Sequence, residues 1–66
     1  MTDPALLDRL LDIHETARYL GDVSTRTVYR EVQRGKLRIV KVGATTRFRR
    51  SELDRYLREA ERTPAA

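Results

Sequence analysis

Apolar residues in the first third of the chain recur at helical spacing, with Ile13, Ala17 and Leu20 separated by four and then three positions. Asp12 and Glu15 stand three apart at the head of that stripe, the reciprocal arrangement of a capping box, so a helix is predicted from Ile13 to about Leu20. Gly21 supplies the left-handed residue that ends it. Ser24 caps a second predicted helix, which opens with Thr25, Arg26 and Thr27, turns Val28 and Val32 toward the first helix and stops at Gly35. Two short helices joined by so brief a connection cannot lie antiparallel and must cross steeply.

Past Gly35 the period changes from helical to alternating. Leu37, Val40 and Val42 are expected to look inward and Lys41 outward, Gly43-Ala44-Thr45 is turn material, and Thr46 and Phe48 alternate with Thr45, Arg47 and Arg49. The prediction is a β-hairpin with Val40, Val42 and Phe48 against the helices and Lys41, Arg47 and Arg49 on a cationic outer face. Ser51 and Asp54 read as the cap of a last helix, with Leu53, Leu57 and Ala60 as its apolar stripe, Tyr56 at the margin, and Arg58, Glu59, Glu61 and Arg62 in solvent. Asp3-Pro4 marks a short helix within an N-terminal extension, residues 1–9; residues 10–62 form one domain, and residues 63–66 a frayed tail. The fold class is thus mainly α with a small β-hairpin.

Composition narrows the setting. A chain of 66 residues is one domain and buries only about 60% of the surface it exposes when unfolded, so modest stability is expected. Without cysteine there is neither a disulfide framework nor a thiolate zinc cluster, which fits a reducing interior. The longest apolar runs are a few residues, as at Ile39-Val40, so no transmembrane helix or secretory segment can be drawn, and a soluble protein of the host-cell cytoplasm and nucleoid, away from membranes, is expected.

Charge changes the picture more. The net +4 is unevenly placed: residues 24–50 hold nine basic residues against the single acid Glu31, a net +8, while both flanks are acidic. A polyanion would dock on the middle. Twelve of the fourteen basic residues are arginine, which suits bidentate recognition of phosphate or guanine and equally fits a GC-rich genome. Arg26, Arg30 and Arg34 recur every four residues on the second helix, with Gln33 beside them. A solvated face would look the same, but like charges at that spacing weaken a helix by a few tenths of a kcal/mol per pair unless an anion neutralises them. The amides at that helix's start, near Ser24, Thr25, Arg26 and Thr27, also suit a phosphate.

No catalytic constellation is visible. His14 is the only histidine and is expected to be an exposed turn residue; with no second histidine, no cysteine and no glycine-rich phosphate loop, neither an enzyme nor a cofactor or metal site is expected.

The run Leu10-Leu11-Asp12-Ile13 with Glu15, Ala17, Tyr19-Leu20-Gly21, Val23-Ser24, Arg26-Thr27-Val28-Tyr29-Arg30, Arg34-Gly35, Leu37, Val40, Val42-Gly43, Arg47 and Arg50-Ser51-Glu52-Leu53-Asp54-Arg55-Tyr56-Leu57 resembles the excisionase-type branch of the MerR-like winged helix-turn-helix domains. The match spans roughly residues 10–57. It implies a recognition helix in the major groove of double-stranded DNA, with Ser24, Thr25, Arg26, Thr27, Tyr29, Arg30, Gln33 and Arg34 as its contacts. It also implies a wing, residues 37–49, with Lys41, Thr45, Thr46, Arg47 and Arg49 tracking the backbone or minor groove. Two departures stand out: Asp22 is inserted in the usual Leu-Gly-Val-Ser turn, and Ala44 and Thr45 occupy a wing tip that often carries arginine, which shifts the expected wing contact to Arg47.

A single such module should bury about 600–1,000 Å² on DNA and bind weakly alone. The resemblance therefore implies a DNA-bending accessory factor that coats tandem sites at an attachment site, contacts adjacent copies of itself and directs an integrase toward excision. The view that nothing but the DNA-binding module is encoded favours that architectural role. The alternatives are a small transcriptional regulator binding promoter DNA, and a protein-binding adaptor that uses the basic stripe against an acidic partner.

Overall fold

The computed structural model describes residues 9–61. In chain order the elements are strand β1 (Leu10–Leu11), helix α1 (Ile13–Tyr19), helix α2 (Thr25–Gln33), strands β2 (Val40–Val42) and β3 (Thr45–Arg49), and helix α3 (Arg50–Glu61). The expected N-terminal helix falls largely on residues 1–8 and the tail on residues 63–66, both outside the described residues.

α1 begins where the capping box places it. The Asp12 carboxylate accepts from the Glu15 amide at 2.8 Å, and Glu15 Oε1 accepts from the Asp12 amide at 3.0 Å. The Glu15 bond is the chief reason the Asp12 carboxyl is held below its ordinary range, since it favours the charged form. At the other end Gly21 (φ +100°) is followed by Asp22 at φ +61°. Two successive left-handed residues absorb the inserted aspartate, a residue type that tolerates this region better than most. The Val23 amide still reaches the Ala17 carbonyl at 3.1 Å, so the turn stays tied to α1.

α2 is capped by Ser24 and closed at Gly35 (φ +76°), where the amides of Gly35 and Lys36 donate to the carbonyls of Val32 and Glu31 at 3.0 and 2.9 Å. The core gathers Leu11, Ala17, Val28, Leu37, Phe48 and Leu53, with Ile13, Leu20, Val23, Val32 and Tyr56 packed around it. Thr16 is also fully buried, and its hydroxyl has no hydrogen-bond partner among the described residues.

The sheet runs β1-β3-β2, all antiparallel. β1 has no counterpart in the sequence reading; its Leu11 pairs with Phe48 and its Leu10 with Arg49. The hairpin corrects the predicted facing. Its loop is only Gly43-Ala44, so Val42 pairs with Thr45 and Val40 with Arg47. Directly opposed residues of an antiparallel pair share a face, and a one-residue slip in register exchanges the faces. Val40 and Val42 therefore lie on the same side as Arg47 and Arg49, while Lys41 shares the Phe48 side with Thr46. Val42, expected inward, is 51% exposed.

α3 starts two residues earlier than expected, at Arg50 where a Ser51 cap would place the first helical residue at Glu52. β3 passes directly into it, and the Arg50 amide donates to the Arg9 carbonyl at 3.0 Å. Ser51 lies inside the first turn instead of capping it. Leu53 is fully buried, Tyr56 joins the packing, and Ala60, expected in the stripe, is exposed.

Candidate nucleic-acid interface

α2 is amphipathic with its apolar side fixed by Val28, which is fully buried. At about 100° per residue, Tyr29, Gln33, Arg26 and Arg30 fall within an arc of about 100° on the opposite side. All four are exposed, Tyr29 at 48%, and with Thr25 they line a shallow concavity. Arg26 and Arg30 have no acid within ion-pair reach among the described residues.

Arg34 does not share this arc. Each four-residue step drifts by about 40°, so Arg34 lies about 80° from Arg26 and turns toward Glu31, which it reaches at 3.4 Å. Ser24 and Thr27 are likewise engaged within the helix: the Thr27 amide donates to Ser24 Oγ at 3.1 Å, and the two hydroxyls are 3.0 Å apart. Of the eight helix residues predicted, then, five line one concavity and three make local contacts first.

The wing residues divide between the two faces of the hairpin. Arg47, Arg49 and Thr45 stand on one side with Leu10, Val40 and Val42; Lys41 and Thr46 stand on the other. Arg47 is half-buried and donates to the Thr46 carbonyl at 3.0 Å. Lys41 Nζ donates to Thr46 Oγ1 at 2.9 Å, and the Thr45 hydroxyl donates to the Val42 carbonyl at 2.6 Å, tightening the tip. Gly43, at φ +61°, takes the first loop position, where glycine fits without strain.

A second set of polar residues, on α3, has no contact role in the sequence reading. Glu52 accepts from Arg55 through both oxygens, Nε at 3.0 Å and Nη2 at 2.6 Å, and also from the Arg38 amide at 3.0 Å. Arg55 Nη2 donates in turn to the Lys36 carbonyl at 2.9 Å. This clamp holds residues 36–38, the link from α2 to β2, against α3. The Arg55 bonds hold the Glu52 carboxyl below its ordinary range. Nearby, the Tyr56 hydroxyl donates to Glu31 at 2.7 Å, and burial with that bond raises its pKa. Tyr19 donates to Asp54, which raises the Tyr19 pKa, and Arg50 Nε lies 3.7 Å from the same carboxylate. The only trace of the clamp in the sequence is the three-residue spacing of Glu52 and Arg55.

His14 is exposed, and no group of three His, Cys, Asp or Glu residues able to hold a metal ion occurs among the described residues. No described helix is long and apolar enough to cross a membrane. Residues 10–61 match the family model for a helix-turn-helix domain. No curated protein and no solved structure matches the chain.

Proposed function

The chain belongs to the helix-turn-helix domain family, a DNA-binding family that includes excisionase-like proteins, and from that premise we propose that it is a sequence-specific, DNA-bending accessory factor of the excisionase type. It binds double-stranded DNA with α2 in the major groove and the β2–β3 hairpin along the flanking backbone, in copies placed side by side on tandem sites. Its work is to shape an attachment site in the cytoplasm or nucleoid so that an integrase assembles for excision.

The observation that carries the DNA-binding part is the α2 arc: Arg26 and Arg30 stand out on the side opposite buried Val28 with no acid among the described residues to neutralise them. A like-charged pair one turn apart costs the free helix a little, and an anionic partner reverses that cost. Support for the accessory role comes from the resemblance in residues 10–57 and from size, since one module of this kind covers only about 600–1,000 Å² of DNA and gains occupancy from neighbours.

Titrating the protein onto a fragment carrying several sites, with circular permutation of the same fragment, is the test. Stepwise shifted species and a bend are expected, together with stimulated excision when the cognate integrase is added. One-step binding without bending, and no effect on excision, would leave a promoter-binding regulator as the better reading.

A further inference from the structure

The α2 arc also limits which bases it can read, given that it meets DNA as proposed above. Arg26 and Arg30 are its only charged members. The one acid on α2, Glu31, is turned about 140° from Arg26 and is held by Tyr56 and Arg34. No carboxylate is therefore available to accept from the cytosine amino group, while two guanidinium forks are available to donate. A guanidinium presents parallel N–H groups that match O6 and N7 of guanine, and each good bidentate contact discriminates strongly against the wrong base. Four residues advance the helix by about 6 Å, close to two base-pair steps of about 3.4 Å each.

We infer that the specificity-determining pair of this protein is Arg26 and Arg30, and that it reads two guanines separated by one base pair, on either strand. Tyr29 and Gln33 flank the pair and contact the neighbouring positions. Arg34 is excluded from base reading because its bridge to Glu31 and its offset around the helix direct it to the groove margin.

Selection of duplexes from a randomised pool by the full chain, beside Arg26→Ala and Arg30→Ala variants checked for an unchanged melting curve, tests this. The parent should retain sites with two guanines one base pair apart. Each variant should lose the preference for one guanine by about 5- to 150-fold while keeping the other. Retained sites lacking that guanine pair, or variants that weaken all sequences alike, would overturn the base assignment while leaving DNA binding intact. Retention of no duplex at all would overturn the proposed function along with it.

Discussion

The two sides of α2 use charged side chains in opposite ways. Toward α3, charged groups are consumed in holding the fold: Glu52 grips Arg55 and the Arg38 amide, Arg55 reaches the Lys36 carbonyl, and Glu31 takes both Tyr56 and Arg34. On the far side Arg26 and Arg30 meet no acid among the described residues. A net charge of +4 therefore says less than which cations have partners. Small domains have little core to spare, and this one uses ion pairs to fix the link into the hairpin while leaving the cations of its outer arc for a polyanion.

The sharpest way to break the contrast is to remove the outward pair. Arg26→Ala with Arg30→Ala should cost about 2–5 kcal/mol of binding to a selected duplex, less than additively if the two share a site. The melting temperature should stay level or rise slightly, because a like-charge pair is removed from the helix. A large thermal loss would mean the pair belongs to the fold.

Removing a clamp residue should do the reverse. Glu52→Ala is expected to cost about 1 kcal/mol of stability, since it removes the acceptor shared by the Arg55 guanidinium and the Arg38 amide, both of which stay open to solvent. The pH dependence has a definite sign. A carboxyl whose pKa is lowered by folding stabilises the protein above its unfolded value, near 4.5, and that contribution disappears as pH falls through the folded value. Urea unfolding at pH 7 and at pH 3 should therefore show the parent and variant converging in acid. A gap that persists at pH 3 would assign the loss to packing.

The smallest effect is expected at Thr16. Its buried hydroxyl has no partner among the described residues, so Thr16→Val should be neutral or stabilising by up to about 1 kcal/mol in the same unfolding assay, whereas a marked loss would reveal a bond the hydroxyl does make.

How legible the molecule is from its sequence follows the range of the interactions. The starts and stops of α1 and α2 are set by neighbours within a few residues, Asp12 with Glu15 and Ser24 with Thr27, and the sequence states them openly. β1 is two residues long and exists only because β3 lies beside it, so no local periodicity announces it. The hairpin faces turn on whether Thr45 belongs to the loop or to the strand. Placing it in the loop shifts the register by one and reverses every side chain, as happened to Val40, Val42 and Lys41. At the interface the exposure of Arg26, Tyr29, Arg30 and Gln33 was readable from helical period. The departure of Arg34 follows from the same period, whose drift of about 40° per four-residue step carries it toward Glu31, whereas the Glu52 clamp depends on a loop fourteen residues away and could not be read from spacing alone.

The central claim, that the unpaired cations serve a polyanion, is tested most directly by measuring DNA affinity of the parent protein across salt concentration. With about five phosphates neutralised, the log-log slope should lie between roughly −4 and −5. A slope near zero, with affinity unchanged by salt, would contradict it.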